Sequence, residues 1–377
     1  MNNQNKQKPN YIRIIGAALV VAVWIGIVAA AWFGEPQEVS ASERRPLAQM
    51  PELTVESIED RTFMDKFNSY SLDQFPLRDR FRSAKAIFHS YVMQYAENNG
   101  LYVEDGYIVK QEVPLNMASV DKAVSRFQFV YDRHVKDKAA NVYVAVVPDK
   151  NYYAAGQSGH LQMDYKAMFQ AVEAGMPWAE YIDITDCLSL EDYYRTDTHW
   201  RQEQLIPVAQ KLTTAMGVTA PKAEDFTVET LDKPFYGVYY GQAALPMEPD
   251  AIQFLHSKEL DSYVLYDMNT GRAVKKDIYD MTQLESQDLY DVYLGGAKQG
   301  TMVITNPYGT PGKELVIFRD SYGSSIAPLL VSDYAKVTLI DIRQYSPAFP
   351  NPFLKCQNAD VLFLYSTLVL NNSIELK

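Results

Sequence analysis

Twenty-one consecutive residues, from Ile14 to Gly34, carry no charge and are mostly Ala, Val, Ile and Leu. A helix of that length spans a hydrocarbon core of about 30 Å. The flank before it is basic, and basic flanks stay on the cytoplasmic side of a membrane. The sequence therefore predicts a cytoplasmic tail over 1–13, a transmembrane anchor over 14–34 and an extracytoplasmic remainder. A cleaved signal peptide, with Val39-Ser40-Ala41 as its small-residue site, is the alternative.

The balance of charges limits the classes of ligand. Of 377 residues, 35 are Lys or Arg and 47 are Asp or Glu, which gives a formal charge of −12. Every acidic residue follows Gly34, so an acidic body is a poor candidate for binding nucleic acid. Cys187 and Cys356 are too few for a disulfide framework or a cysteine-rich zinc site, although one bridge between them stays open. The histidines show no ligand spacing, and no metal or cofactor is expected.

Patterning divides the exported part into three regions. Prolines at 36, 46 and 51 predict a stalk over 35–54. Apolar residues at three- and four-residue steps predict helices on either side of Pro76, and Asp105-Gly106 predicts a hairpin turn. These elements form a helical and hairpin region over 55–135, packed on the core. An α/β domain over 136–377 follows, with an irregular insertion at about 222–300.

Runs that are apolar on both faces predict buried strands of a mainly parallel sheet. The first is Asn141 to Pro148, and the others are Thr301–Thr305, Leu315–Phe318, Lys336–Asp341 and Asp360–Tyr365. A helical stretch from Tyr322 to Tyr334 separates the third from the fourth and contains Pro328. Strand, helix and strand in this order predict α/β architecture with both faces of the sheet covered.

Two short motifs carry reactive groups. In Arg195-Thr-Asp-Thr-His-Trp200, the carboxylate of Asp197 stands two residues before His199 and can fix the tautomer of its ring. In Leu315-Val-Ile-Phe-Arg-Asp-Ser-Tyr-Gly323, Ser321 falls where a strand gives way to a helix, and its hydroxyl and the nearby N–H groups can serve acyl transfer. Read singly, the first is a structural His beside a surface Asp, and the second is a helix cap. Read together, they supply a nucleophile, a base and an orienting acid.

Six segments in order give this chain a family resemblance. It resembles the DHHW family of exported bacterial proteins and the related alginate O-acetylation proteins of the SGNH-hydrolase-like class. The segments are Ser42-Glu-Arg-Arg-Pro-Leu-Ala-Gln-Met-Pro51, Asp73-Gln-Phe-Pro-Leu-Arg-Asp79, Val147-Pro-Asp-Lys150, Thr196-Asp-Thr-His-Trp200, Asp320-Ser321 and Asp341-Ile-Arg343. Thr198 stands where the family name expects its first His. Gly295-Gly296-Ala297 stands where members often have Gly-Gly-Asn, which removes one amide donor.

The resemblance implies a three-layer α/β/α domain of the SGNH-hydrolase type over 136–377. It also implies a triad of Ser321, His199 and Asp197. Residues implied to line the oxyanion or substrate site are Arg343, Tyr365 and Trp200.

The implied activity is O-acetylation of a cell-surface or secreted polysaccharide through an acetyl-serine. The implied partners are the polysaccharide acceptor and a membrane-bound acyltransferase of the MBOAT type, which supplies the acetyl group. Two alternatives stay open. One is a carbohydrate acetylesterase with the same triad, and the other is a non-catalytic glycan-binding or assembly protein on a degenerate fold.

Overall fold

The computed structural model describes residues 11–296 and 300–377. The chain divides into two compact units, at residues 88 and 89. The sequence placed its boundary at 135 and 136 instead. The hairpin and the helix before residue 135 belong to the larger unit because Val120 and Phe127 share a hydrophobic cluster with Val316 and Phe318. The basic tail up to residue 10 and Ala297 lie outside the described residues.

The first unit begins with an apolar helix of 23 residues, long enough to cross a membrane, although a signal sequence has the same length and composition. Residues 39–46 form a short hairpin where an extended stalk was predicted. The elements are α1 (Tyr11–Phe33), β1 (Val39–Ser40), β2 (Arg45–Pro46), α2 (Val55–Glu59), α3 (Thr62–Asp73) and α4 (Arg78–Ile87).

Ion pairs join two segments of this unit that carried the family resemblance. Arg45 pairs with Asp73 at 2.6 Å, and Arg78 pairs with Glu43 at 2.5 Å. Arg82 adds a contact to the same Glu43 carboxylate at 3.1 Å. The hairpin is therefore fastened to α3 and α4 by shared charges, which explains why it does not extend as a stalk.

The second unit opens with the hairpin that turns at Asp105-Gly106, where Gly106 has φ 81°. Two strands, β3 (Leu101–Glu104) and β4 (Tyr107–Lys110), form it. The helices of this unit are α5 (Met117–Val130, continued by a π-helical turn to Val135), α6 (Lys150–Ser158), α7 (Tyr165–Gly175), α8 (Ile206–Ala215), α9 (Val238–Ala243), α10 (Gly323–Ile326) and α11 (Thr367–Asn371).

A mixed eight-stranded sheet forms the centre of the second unit. The remaining strands are β5 (Asn141–Val147), β6 (Glu180–Tyr181), β7 (Thr227–Phe235), β8 (Asp250–His256), β9 (Val264–Asp267), β10 (Val274–Lys276), β11 (Thr301–Thr305), β12 (Thr310–Arg319), β13 (Tyr334–Ile340) and β14 (Asp360–Ser366). The sheet order is β10-β9-β11-β13-β12-β14-β5-β6, while β7 and β8 pair separately.

Five neighbouring strands, from β13 to β6, are parallel, as the apolar runs predicted. The strand β11 pairs antiparallel with β13 and with β9, so its predicted parallel direction is wrong. Alternate side chains of β12 enter two different hydrophobic clusters: Leu315 and Ile317 join one, and Val316 and Phe318 the other. Both faces of the sheet are therefore buried.

Two further expectations change in the structure. The predicted insertion over 222–300 is part of the fold, because β9 and β10 extend the central sheet. The predicted helix from Tyr322 to Tyr334 is short, since α10 has four residues and passes into a 3-10 turn at Ala327–Leu330 that contains Pro328. Cys187 and Cys356 are both free thiols.

Candidate active site

The turn after β12 presents Ser321 at the carboxyl edge of the parallel strands. β12 ends at Arg319 because the buried Asp320 carboxylate closes a turn, accepting the N–H of Tyr322 at 3.0 Å. Its other oxygen accepts the N–H of Ser366, at the end of β14, at 2.7 Å. Ser321 is partly exposed between two buried neighbours. We call residues 319–325 the nucleophile turn.

A narrow loop carries the other two predicted groups. Tyr193 and Trp200 form an antiparallel bridge, and the N–H of Tyr194 donates to the carbonyl of His199 at 3.0 Å. Between these ends lie Asp197, which is fully buried, and His199, which is 6% exposed. We call residues 193–200 the base segment.

Two hydrogen bonds link the base segment to the nucleophile turn. Nδ1 of His199 lies 2.6 Å from Oδ1 of Asp197, and Nε2 lies 2.8 Å from Oγ of Ser321. The backbone N–H of His199 also donates to Asp197 Oδ1 at 3.0 Å. The structure thus brings together three side chains that span 124 sequence positions. The order of their atoms suits proton transfer from the hydroxyl to the ring.

The carboxylate of Asp197 is held from a distant part of the chain. Its Oδ2 accepts the N–H of Val238, the first residue of α9, at 2.8 Å. Gly237 lies so close that an added Cβ would come within 2.3 Å of Asp197 Cβ. A glycine is therefore needed at 237 for space, not for its backbone conformation. The N-terminus of α9 therefore holds the Asp197 carboxylate in position.

Asp250, at the start of β8, anchors the residues before Asp197. Its carboxylate accepts the N–H of Arg195 at 2.9 Å and the N–H of Thr196 at 2.8 Å. The Thr196 hydroxyl also donates to it, at 2.5 Å. Three hydrogen bonds donated to one carboxylate leave this side of the base segment little freedom.

Lys150 lies beneath the base segment and is almost fully buried. Its Nζ donates to the carbonyl of Tyr194 at 3.0 Å and to that of Arg195 at 3.3 Å. Burial lowers the pKa of Lys150 to about 7, although the negative charges of Asp197 and Asp250 act against that shift. The lysine therefore changes charge near neutral pH at a point that supports the base segment.

A tyrosine from the irregular region covers one face of the imidazole. The Tyr290 ring lies parallel to that of His199, with centroids 3.8 Å apart and an interplanar angle of 5°. The Tyr290 hydroxyl donates to Oγ of Ser325 at 2.8 Å. The indole N–H of Trp200 reaches the same Oγ at 3.0 Å and the carbonyl of Tyr322 at 3.1 Å.

Among the described residues, no hydrogen bond joins Ser321 to any of the three weaker predictions. Trp200 is fully buried and supports the nucleophile turn from below. Arg343 pairs with Asp341 through Nε and Nη2, at 3.0 and 2.7 Å. Burial lowers the pKa of Arg343, but its hydrogen bonds to Asp341 leave that pKa raised overall. Tyr365 is buried, burial raises its pKa, and its hydroxyl has no partner among the described residues.

The backbone donors after the nucleophile are largely occupied, unlike the sequence-based expectation. The N–H of Tyr322 donates to Asp320 Oδ1, that of Gly323 to the Asp320 carbonyl, and that of Ser324 to the Ser321 carbonyl. Within the described residues, the Ser321 N–H has no recorded hydrogen bond. It is therefore the N–H in this turn that remains available to donate to an oxyanion.

Sequence reasoning missed the groups that hold the site together. Asp250, Gly237 and Tyr290 come from a region without helical or strand periodicity, so no pattern singled them out. Lys150 was the exception: at the end of a predicted strand, it was expected to pack under the site or pair with an acid, and it lies under the base segment. Within the described ranges, no cluster of three His, Cys, Asp or Glu side chains is suited to hold a metal.

A cavity of about 910 Å³ borders the base segment. Arg195 and Asp250 form part of its wall, and further carboxylates come from Glu104, Asp105 and Glu191. The lining also includes Arg201 and three tyrosine rings, at Tyr107, Tyr153 and Tyr193. The cavity therefore offers aromatic faces and an excess of negative charge.

Comparison with solved structures shows which fold this is. A DHHW family protein from Eubacterium siraeum aligns with a TM-score of 0.57 at 19% identity, over 74% of this chain and 95% of its own. PatB1 from Bacillus cereus, in a structure with a sulfonyl adduct, aligns with a TM-score of 0.54 at 16% identity, over 72% of this chain and 95% of its own. The resemblance to the DHHW family is thus confirmed at the level of the fold.

A third solved structure aligns less well with this chain. The O-acetyltransferase domain of Pseudomonas putida AlgJ aligns at 10% identity over 72% of this chain and 92% of its own, with a TM-score of only 0.43. No protein-family model and no curated protein sequence matches this chain.

Proposed function

We propose that this chain is an O-acetyltransferase that acts outside the cytoplasm on a cell-surface or secreted polysaccharide. The observation that carries the proposal is the hydrogen-bonded series from Asp197 through His199 to Ser321, with distances of 2.6 and 2.8 Å. A serine hydroxyl becomes a useful nucleophile when a positioned base removes its proton, and this geometry provides such a base.

The reaction takes place in two half-reactions. In the first, Nε2 of His199 takes the proton of Ser321 while Oγ attacks the carbonyl carbon of an acetyl donor. The donor's leaving oxygen or sulfur receives that proton, and the acetyl group remains on Ser321. In the second, a sugar hydroxyl gives its proton to His199 and attacks the acetyl-serine. The intermediate then collapses to the acetylated sugar, and Ser321 regains its proton.

The fold supports the proposed chemistry without specifying it. We assign residues 136–377 to a three-layer SGNH-hydrolase-like domain, because both faces of the sheet are buried and Ser321 follows a central parallel strand. Reactive groups commonly lie at that edge of a parallel sheet. The sulfonyl adduct on PatB1 suggests a probe, since sulfonyl fluorides modify activated hydroxyl groups.

The charge of the cavity suggests the class of acceptor, and α1 suggests where the acetyl donor lies. The carboxylates of the cavity beside the base segment disfavour a polyanionic acceptor and suit a neutral or amino-sugar glycan. We assign α1 as an uncleaved single-pass anchor, so the domain stays near a membrane. A membrane-bound acyltransferase of the MBOAT type is the proposed source of acetyl groups.

The experiment uses the full chain in detergent with a chromogenic acetyl ester. Wild type is expected to release the chromophore and to show an acetyl adduct on Ser321 by mass spectrometry. Ser321→Ala and His199→Ala are expected to lose about three orders of magnitude in rate or more. Ser125→Ala, an exposed serine of α5, is the control, with circular dichroism as the check of folding.

Three outcomes separate the functions. Transfer to added neutral or amino-sugar oligosaccharides identifies a transferase, while release to water alone identifies an esterase. A folded wild type that gives neither an adduct nor a reaction with a sulfonyl fluoride contradicts an activated Ser321. It would favour a non-catalytic glycan-binding protein.

A further inference from the structure

Tyr290 contacts the base of the candidate site without belonging to the three side chains that exchange the proton. It lies in a 3-10 turn at Leu289–Val292 and is 2% exposed. Its ring covers the His199 imidazole at 3.8 Å, nearly parallel. Nothing in the proposed reaction needs a buried aromatic ring there, so the stack requires its own explanation.

Three contacts fix the position of the Tyr290 ring. Its backbone N–H donates to Oδ1 of Asp288 at 3.0 Å. Its hydroxyl donates to Ser325 Oγ at 2.8 Å, on the helical turn that follows the nucleophile. The ring of Tyr293 packs against it, with centroids 5.0 Å apart. The ring is therefore held independently of His199 and can serve as a fixed surface for the imidazole.

The stack restrains a motion that the two hydrogen bonds leave open. The bonds at Nδ1 and Nε2 lie in the plane of the imidazole, so they resist rotation within that plane better than tilting out of it. A parallel ring at van der Waals distance blocks tilting toward it. When His199 takes a proton, the face of the tyrosine also attracts the positive ring.

We propose that Tyr290 is a positioning residue for His199, holding the plane of the imidazole and stabilising its protonated form in each proton transfer. This inference rests on the proposed function. It assigns a role to the irregular region, which supplies the ring from a turn 91 positions after the base.

Other ionisable groups lie near His199 or on the elements that carry Tyr290 and Ser321, and they set the background for any pH effect. Asp197 lies on its own segment, with Lys150 behind that acid. Tyr322 and Asp320 lie on the nucleophile turn, and Asp288 and Asp291 lie on the turn of Tyr290. A variant that changes only Tyr290 keeps all of these groups, so a difference from wild type reports on the ring.

The kinetic test compares Tyr290→Leu, Tyr290→Phe and Tyr279→Leu in the full chain in detergent, with the chromogenic acetyl ester. Tyr290→Leu removes the aromatic face, and we expect kcat to fall about 3- to 30-fold with KM within about twofold. The acidic limb of the pH–rate profile should move to lower pH by about half a unit to one and a half units. Tyr290→Phe keeps the stack and should retain the wild-type pH profile.

Tyr279→Leu is the matched control, because this buried ring belongs to the same hydrophobic cluster and its ring contacts include neither Tyr290 nor His199. An unchanged profile in Tyr290→Leu would overturn the proposal. Equal pH shifts in Tyr279→Leu, or a shift in Tyr290→Phe as large as in Tyr290→Leu, would also overturn it. Those results would indicate general packing or the hydroxyl group.

A second readout keeps this test separate from the proposed function. Nuclear magnetic resonance titration of ring-labelled histidine, in a Ser321→Ala background, follows His199 without turnover, and His199→Asn assigns its signal among five. A midpoint at lower pH with Tyr290→Leu supports the stack even if wild type shows no esterase or transferase activity. Equal midpoints overturn it, whatever the activity.

Discussion

The two halves of the candidate site are held in different ways. The nucleophile turn has contacts within itself, because Asp320 caps the N–H of Tyr322 and Arg319 donates to Ser324 Oγ at 2.9 Å. Ser366, Trp200 and Tyr290 add bonds to it from elsewhere in the chain. The base segment is secured mainly from far away: Val238 holds Asp197, Asp250 holds Thr196, and Lys150 holds the carbonyl of Tyr194. Ser321 thus has local as well as tertiary support, whereas His199 depends mainly on tertiary structure.

This difference locates the weak points of the site. Because part of the support of Ser321 is local, losing one distant contact should disturb Ser321 less than it disturbs His199. The base segment loses its geometry when any one of several distant contacts is removed. Variants of those contacts should therefore lower the rate of ester cleavage while the serine itself stays intact. Four predictions test this contrast, from the largest expected effect to the smallest.

Asp197→Asn should lower kcat for the acetyl ester by about two to four orders of magnitude. The carboxylate accepts the His199 N–H, the Nδ1 proton and the Val238 N–H, and an amide would turn its NH₂ group toward one of these donors. Asp183→Asn, on an exposed turn, is the control and should match wild type. A loss of less than tenfold in Asp197→Asn would show that the orienting acid is not needed.

Lys150→Met should remove a pH dependence of stability. With a folded-state pKa of about 7 and an ordinary value of 10.5, the unfolded chain binds more protons between these pH values. The free energy of unfolding of wild type should therefore rise with pH across that window, by about 2 to 4 kcal/mol. Urea unfolding at pH 7 to 10 measures it, relative to Lys150→Met and to Lys166→Met as the exposed control. Parallel curves for all three proteins would contradict the prediction.

Gly237→Ala should destabilise the fold by about 1 to 3 kcal/mol and reduce ester cleavage, because its methyl group would collide with Asp197. Gly156→Ala is the control, since nothing lies within 4 Å of the Cβ position there. Thermal unfolding and kcat are the measurements. If Gly237→Ala matches Gly156→Ala in thermal stability and in kcat, the N-terminus of α9 does not constrain Asp197.

Thr198→Val should have the smallest effect, about 1 kcal/mol of stability and less than tenfold in kcat. The Thr198 hydroxyl accepts from Tyr239 at 3.0 Å and bonds with the Tyr322 hydroxyl at 3.1 Å, so it joins α9 to the nucleophile turn. Thr198→Ser keeps both bonds and should behave as wild type. An equal loss in both variants would show that these two hydrogen bonds are not the cause.

The elements that were predicted correctly are those whose formation depends on neighbouring residues in the sequence. The strands near Asn141, Leu315 and Asp360 were found because their apolar runs are long, and the hairpin was found because Asp105-Gly106 suits a tight turn. The direction of β11 was not predictable from its residues. A strand buried on both faces has the same composition whether it runs parallel or antiparallel.

In the candidate site, too, the residues in local motifs were predicted and those that act through tertiary contacts were not. Ser321, His199 and Asp197 stood in recognisable motifs, and the structure brings them within hydrogen-bond distance. The helix N-terminus expected to offer several free donors does not, because the Asp320 carboxylate already uses the N–H of Tyr322. Tyr290 and Asp250 act through tertiary contacts alone, and a single sequence without periodicity in that region does not reveal such contacts.

The position of β14 has a consequence for how the protein acquires this fold. Strand β14 lies between β12 and β5, and Asn141 bonds with Asp360 across 219 positions. During synthesis, β5 and β12 must wait for β14 with unpaired edges, which favours aggregation and slow folding because long loops close last. Asp320 cannot reach Ser366 before that insertion. The nucleophile turn is therefore among the last parts of the nascent domain to acquire its final hydrogen bonds.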